Sequence, residues 1–178
     1  KTLFPYTTLF RSEVKKLGEG SYGSVYRTYP LEDKNLPDEK KRYFVIKKME
    51  KRFFSEGVNF SALREIKILK ELNNPNVVKL LDVFFDKQNM YLSYEYLDMD
   101  LKDAMKTNLD EAAVKGIALQ ILKGLALIHE SGILHRDLKP ENIFVSKTGR
   151  LKLGDLGMSR QISSPQRGMT RNVVTNWY

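Results

Sequence analysis

The sequence predicts an α+β fold, a strand-rich lobe carrying one helix followed by a lobe that is mostly helix. Three observations predict it. From Glu13 to Leu97, short β-branched and aromatic runs are separated by Gly, Pro and Asn signals and broken by one helical pattern. From Asp110 to about His129, an amphipathic pattern runs for many turns. No segment repeats, which excludes solenoid and propeller arrays.

The elements follow in order. "EVKKLGEG" reads as a strand entering a glycine loop, and "GSVYRTY" as the strand that returns from it. Thr28 to Arg42 is polar, with Pro30, Pro37 and many charges, and reads as a long hairpin loop. "YFVIKKM" is the next strand. Phe60 to Leu72 carries a helical apolar stripe of Leu63, Ile66 and Leu69 with Leu72 beside it, stopped by Asn73-Asn74-Pro75. "NVVKLLDVFF" and "MYLSYEYL" read as a strand pair turning at Asp86 to Asn89. A short helix is expected around Leu101 to Lys106. In the long helix, Val114, Ile117, Ile121, Leu125 and Ile128 keep one face. "GILH", "IFVS" and "RLKL" are short strands between loops.

Composition narrows the function classes. The chain has 178 residues, enough for one sizeable core or two small lobes. It has no cysteine, so disulfides and thiolate metal sites are excluded, which fits an intracellular protein of nucleus or cytoplasm. The net charge of +8 gathers at Lys40-Lys41-Arg42 and from Lys47-Lys48 to Lys51-Arg52. Neither cluster has the interleaved aromatics of a base-stacking platform, so a solvated basic face is preferred to nucleic-acid binding; phosphorylated ligands are a third reading. The longest apolar stretches fall far short of a membrane span, and no membrane partner is expected. The opening "KTLFPYTTLFRS" fits nothing that follows. Leu3 to Ser12 looks like a translated sequencing adapter, so residues 1–12 are set apart from the fold; the alternative is a genuine β-rich arm.

Several motifs carry chemistry. Gly18-Glu19-Gly20-Ser21-Tyr22-Gly23 is weak alone, but a strand, Ser24-Val25-Tyr26, follows it. A dinucleotide site needs a helix there, whereas a glycine hairpin between strands is a flap whose bare backbone can lie over a polyphosphate. "HRDLKPEN", His135 to Asn142, is stronger. Phosphoryl transfer calls for an acceptor near the attacking hydroxyl, a cation near the phosphoryl group and an oxygen ligand for Mg²⁺. Asp137, Lys139 and Asn142 supply these in that order. "DLG" places a second carboxylate, Asp155, after "RLKL", and one Asp with one Asn suffices for an ion that keeps several waters.

These motifs together resemble the eukaryotic protein kinases, over nearly the whole chain beyond residue 12. Glycine loop, strand lysine, helix glutamate, HRD loop and metal aspartate stand in the family's order. The resemblance implies a bilobal kinase fold: N-lobe and hinge over 13–97, and a partial α-helical C-lobe over 98–178 with catalytic loop and incomplete activation segment. It implies ATP and Mg²⁺ as cofactors. Lys47 of "FVIK" would meet the α- and β-phosphates, with Glu65 as its ion-pair partner. Leu17, Gly18, Gly20, Gly23 and Val25 would line the nucleotide site. In "YLSYEYLDMD", Tyr94 would be the gatekeeper, Glu95 and Leu97 would offer backbone bonds to adenine, and Asp100 could reach the ribose. Asp137 would accept the substrate proton, Lys139 would steady the γ-phosphate, and Asn142 with Asp155 would hold Mg²⁺.

Within the kinases, "NFSALREI" and "NVVTNWY" resemble the cyclin-dependent group. That resemblance implies a cyclin on the helix around Ser61 to Leu72, swinging Glu65 inward, and an activating kinase acting at Thr170. Arg64, Arg136 and Arg160 fall on the three positions that would order the phosphothreonine, where guanidiniums suit three strong acceptor oxygens. Lys139 and Thr175 favour serine/threonine over tyrosine substrates. Ser21 and Tyr22 match positions of inhibitory phosphorylation, and turn chemistry explains them equally well. His129 reads as a helix cap or core residue and His135 as part of a hydrophobic spine with Leu69, Leu80 and Leu156. Two motifs depart from the pattern: DLG for DFG, where Leu156 keeps apolar volume and leaves Asp155 intact, and GMSR for GLAR, a mild change. The subfamily hints conflict and leave cell-cycle and transcriptional branches open. The family pattern continues past Trp177-Tyr178, so the expectation is a kinase for the parent and an inactive nucleotide-binding half for this chain. The competing expectation is a non-catalytic module, or pseudokinase, that binds nucleotide or cyclin.

Overall fold

The computed structural model describes residues 15–20, 23–50, 60–72, 74–86 and 89–162. Packing divides the chain into two compact units, Lys1–Asn59 with Lys79–Tyr96, and Phe60–Val78 with Leu97–Tyr178. The sequence boundary after Leu97 left the first helix with the strands. Packing instead groups that helix with the second unit, where it lies on the 3-10 turn Leu156–Met158.

In the first unit, β1 (Lys15–Gly20), β2 (Gly23–Thr28), β3 (Phe44–Glu50), β4 (Leu80–Phe85) and β5 (Asn89–Glu95) form one antiparallel sheet in the order β1-β2-β3-β5-β4. Register sets which side chains share a face, because strand side chains alternate. Val25, Lys47 and Leu92 stand in one row; Tyr26, Ile46 and Ser93 stand in the next, on the opposite face. On that opposite face Ile46 and Tyr91 are buried against Phe44 and Phe84, with the Phe84 and Tyr91 rings stacked at 4.9 Å. The Tyr91 hydroxyl donates to Asp86 Oδ2 at 2.7 Å, which gives the buried phenol its partner.

Gly23 returns the chain from the glycine loop with φ +147°, and a Cβ there would lie 1.9 Å from Lys48 O. No other residue fits without breaking β2 from β3.

The segment between β2 and β3, expected as a plain loop, holds two 3-10 turns, Leu31–Asp33 and Asp38–Lys40. Each follows a proline, Pro30 or Pro37, whose fixed φ suits the entry to a tight turn. The buried Asp33 carboxylate closes the segment by accepting from Arg42 N and Nε at 3.0 Å and from Nη2 at 2.9 Å. Charge-assisted bonds of this kind are stronger than neutral ones, and they hold the Asp33 carboxyl below the usual carboxylate range.

The second unit comprises α1 (Phe60–Glu71), β6 (Met99–Asp100), α2 (Leu101–Ala104), α3 (Glu111–Glu130), β7 (Ile133–Leu134), β8 (Ile143–Val145), β9 (Leu151–Leu153) and β10 (Arg160–Gln161). β6, β8 and β9 make a small sheet, and β10 pairs with β7. The expected strand "NVVKLLDVFF" is split. Val78 N donates to Leu153 O and Leu153 N to Asn76 O, both at 2.8 Å, so 76–78 serve β9 while β4 starts at Leu80.

The buried side of α1 differs from the expected stripe. Ala62, Glu65, Ile68, Leu69 and Leu72 are buried, and Leu63 is 45% exposed. In α3 the Asp110 carboxylate caps the start by accepting from Ala113 N at 2.7 Å. Its apolar face is packed toward the C-terminal end, at Gly124 and Ile128, while Val114 is exposed. A Cβ on Gly124 would meet Leu153 Cδ1 at 2.9 Å and Asn76 O at 3.0 Å. Gln120 clamps the same region, donating to Gly149 O at 2.9 Å and accepting from Leu151 N at 2.8 Å.

By length and composition α3 is apolar enough to cross a membrane, with mean hydropathy 1.4. The unbroken apolar runs of the sequence stay short all the same, because Lys115, Gln120 and Lys123 interrupt this helix. Core helices share such compositions, and the Gln120 and Gly124 contacts tie this one to β9.

Candidate active site

The loop after β7 builds the polar centre of the second unit. Its backbone is unusual. Among the described residues, Arg136 (φ +67°) and Asp155 (φ +52°) are the non-glycine residues in the left-handed region. That conformation costs an L-residue roughly 1–2 kcal/mol, and such strain gathers at functional sites. One strained residue immediately precedes Asp137; the other is the expected metal carboxylate.

Asp137 is the node of the network. Asn142 Nδ2 donates to Asp137 O at 2.8 Å and to Asp137 Oδ2 at 2.9 Å. Lys139 Nζ lies 2.9 Å from the same Oδ2, and that hydrogen bond raises the lysine above its ordinary pKa. Asp137 and Asn142 are buried, so the contacts are little screened.

His135 supports this node without entering it. Asp137 N donates to His135 Nδ1 at 3.3 Å, so Nδ1 accepts and the ring proton stands on Nε2, which donates to Gly154 O at 2.9 Å. Burial holds the imidazole below its usual pKa, so the ring is the neutral tautomer these bonds require. Of the expected spine residues, His135, Leu69 and Leu156 are buried, while Leu80, at the start of β4, is only partly buried.

Gly154 is a site residue that the sequence reading missed. Its N–H donates to Asn142 O at 2.9 Å while its own carbonyl accepts from His135, so one residue braces both ends of the loop. A Cβ there would meet the Phe144 ring at 2.7 Å and Val78 Cγ2 at 3.1 Å. The signal was in the text, a glycine directly before the aspartate of "GDLG". Ser159 was also passed over. Its buried hydroxyl donates to Leu156 O and closes the turn that follows Asp155.

The donor chemistry fits a hard cation. Both Nδ2 hydrogens of Asn142 are spent on Asp137, so the amide presents its oxygen, the type of ligand Mg²⁺ takes. Asp155 is exposed at the turn that follows Gly154. Among the described residues there is no cluster of three or more His, Cys, Asp or Glu of metal-binding kind. An Asp–Asn pair with water ligands needs none.

The three expected arginines come together. Arg64 Nη1 donates to Gly157 O at 3.4 Å and Arg136 Nε to Met158 O at 2.7 Å, while Arg160 opens β10 opposite Leu134. Burial first, and then the neighbouring charges of Arg64 and Arg160, hold the Arg136 guanidinium below its ordinary pKa. Arg136 Nη1 is buried without a partner among the described residues. Three converging cations with an unsatisfied donor make a ready site for an anion.

The other expected residues lie as follows. Lys47 stands between Val25 and Leu92 on one face of the first unit's sheet. Gly18 and Gly20 are paired in β1, and Leu17 falls at the register shift between Lys16 and Gly18. Glu95 is held by a reciprocal pair, its N donating to Lys79 O at 3.2 Å and its Oε1 accepting from Lys79 N at 2.7 Å. Tyr94 is buried in β5. Glu65 is buried in α1 of the second unit, and Leu97 belongs to that unit too. Asp100, expected near a ribose, caps α2 by accepting from Asp103 N at 2.8 Å. Ser21, Tyr22, Thr170, Thr175 and the segment 1–12 lie outside the described residues.

Comparison with known proteins meets this geometry. The protein kinase domain family matches residues 11–178. A curated relative, cyclin-dependent kinase D-1 of Oryza sativa subsp. japonica, is 40% identical over 165 residues, covering 91% of this chain. The chain spans 37% of that relative's length. The chain belongs to the protein kinase family, and its likeness within the family is to a kinase of the cyclin-dependent type.

Proposed function

We propose that the protein carrying this domain transfers the γ-phosphoryl group of ATP to serine or threonine hydroxyls of protein substrates, in cell-cycle or transcriptional control. The observation that carries this reading is the Asp137–Lys139–Asn142 network beside left-handed Asp155. The substrate oxygen forms a bond to the γ-phosphorus as the bond to the ADP oxygen breaks, and Asp137 accepts the hydroxyl proton. Lys139 offers its charge to the oxygens that become more negative. The Asn142 amide fixes the rotamer of Asp137 and, with Asp155, would hold Mg²⁺, which supplies charge neutralisation between the phosphates when bound. Lys47 would anchor the α- and β-phosphates, with Glu65 as the ion-pair partner the family resemblance gives it, and the glycines at 18, 20 and 23 would cover them.

Two regulatory readings have support. The arginine cluster, with its unsatisfied Arg136 donor, suits a phosphate on Thr170. The exposed Leu63 side of α1 suits a cyclin, whose packing there would set Glu65. The test is phosphotransfer from labelled ATP to serine, threonine and tyrosine peptides. It is run on this chain and on a chain extended to the relative's length, each with and without a cyclin. Turnover on serine and threonine by the extended protein with cyclin, lost in Asp137→Asn, supports the reading. Undiminished turnover in Asp137→Asn would sink it. The 178-residue chain alone is expected to bind nucleotide without turnover; the exposed apolar side of α3, at Val114, Leu119 and Leu122, supports that expectation.

A further inference from the structure

The β2–β3 segment ends in an aromatic and cationic stack that reaches the last residue of the first unit. Arg27 Cζ lies 4.4 Å from the centre of the Tyr43 ring and 5.8 Å from that of Tyr96. The Tyr43 and Tyr96 rings are 5.6 Å apart and tilted by 52°. Tyr29 meets Tyr43 edge-on at 5.9 Å, and Lys41 lies 4.6 Å over the Tyr29 ring. The Asp33–Arg42 bonds close the segment from behind, so Tyr43 follows directly on a fixed residue.

The position of this stack gives it a role. Strand alternation puts Arg27 on the same face as Val25 and, continued past the strand ends, puts Tyr43 with Lys47 and Tyr96 with Leu92. Tyr96 follows Glu95, whose backbone is already pinned by Lys79. The 95–96 backbone is thus gripped from two sides, by Lys79 through hydrogen bonds and by Arg27 and Tyr43 through the Tyr96 ring. Each cation–ring or ring–ring contact is modest by itself, so together they restrict the backbone without freezing it.

We propose that Arg27 and Tyr43 are positioning residues for the adenine end of a bound nucleotide, holding Tyr96 and through it the Glu95–Leu97 backbone. This rests on the nucleotide-binding reading above. The folded β2–β3 segment is then a brace for base recognition, and its length is part of how this chain orients a base.

The test has two independent readouts on the purified 178-residue chain. Hydrogen exchange reads the amides of Tyr96 and Leu97 directly. Titrations with adenosine and with tripolyphosphate separate the base from the phosphates. Tyr43→Ala should speed exchange at both amides and weaken adenosine binding about threefold to tenfold, with tripolyphosphate binding unchanged. Tyr43→Phe, which keeps the ring, should behave as the unaltered chain. Arg27→Gln should repeat the Tyr43→Ala pattern, and it decides the matter alone if Tyr43→Ala fails to fold by thermal melting. Unchanged exchange in Arg27→Gln, or equal losses for adenosine and tripolyphosphate, would overturn the proposal. If the unaltered chain binds neither ligand, the nucleotide reading falls. Exchange then still decides whether the stack braces Tyr96: faster exchange supports the brace and unchanged exchange overturns it.

Discussion

In the first unit the candidate site residue Lys47 stands on a regular strand, and in the second the candidate phosphoryl-transfer residues Asp137 and Asp155 stand on backbone that has left regular structure. Lys47 needs no special conformation; its place follows from register with Val25 and Leu92. Asp137 and Asp155 depend instead on two left-handed residues, a buried neutral histidine and a glycine that bonds in both directions. The lesson concerns where tolerance lies. A strand residue in ordinary extended conformation, such as Lys47, depends little on its neighbours' backbone, whereas the loop network is one cooperative object whose members hold each other.

The comparison can be broken at several depths. The largest effect is on chemistry. Asp137→Asn, which keeps the size of the side chain and an acceptor for its neighbours, should lower phosphotransfer by the extended, cyclin-bound protein about 10²–10⁴-fold, with a melting temperature close to that of the parent protein. A large drop in melting temperature would mean that Asp137 matters to folding more than to proton transfer.

Next come two glycines, Gly23 in the first unit and Gly124 in the second. Gly23→Ala pushes a Cβ against Lys48 O and should cost the sheet about 3 kcal/mol, while Gly124→Ala should cost the second unit about 1–2 kcal/mol. Chemical denaturation followed by hydrogen exchange would assign each loss to its unit. Equal losses in both units from either variant would show that the chain unfolds as one.

A smaller effect is expected with pH. The folded His135 binds its proton less readily than the unfolded residue, whose ordinary value is 6.5. The unfolded state therefore gains protons first as pH falls, so stability present above pH 6.5 is lost below it. Denaturation curves between pH 8 and pH 5 should show this decline, and His135→Gln should flatten it. An unchanged slope in that variant would assign the decline to other groups.

The smallest effect has the opposite sign. Ser93 is fully buried in β5, and its hydroxyl has no partner among the described residues. Ser93→Ala should leave stability unchanged or raise it by up to about 1 kcal/mol. A clear loss in denaturant midpoint would reveal a bond that the hydroxyl makes.

How much was legible in the sequence follows the same division. Strand positions were readable because alternation and turn residues report local geometry. Asp137, Lys139 and Asn142 were readable because phosphoryl transfer demands those groups at short spacing. The inner face of α1 was misread because a buried Glu65 looks polar to any periodicity count, while Leu63 looks like core. The 3-10 turns between β2 and β3 were hidden because charge and proline signal a loop equally well. The Arg27–Tyr43–Tyr96 stack was out of reach, since it joins three distant positions through register that the sequence does not print. Left-handed Arg136 and Asp155 were illegible for a related reason: tertiary bonds impose what local preference opposes.

The Asp33–Arg42 closure has a practical consequence. It isolates the exposed outer edge of the β2–β3 segment, around Leu36, from the sheet that the segment connects. A foreign peptide or a dye attached after Leu36 would ride on a ring that is already tied at its base. That edge is a grafting port, a place to fasten a reporter within sight of Tyr96 without loosening a strand.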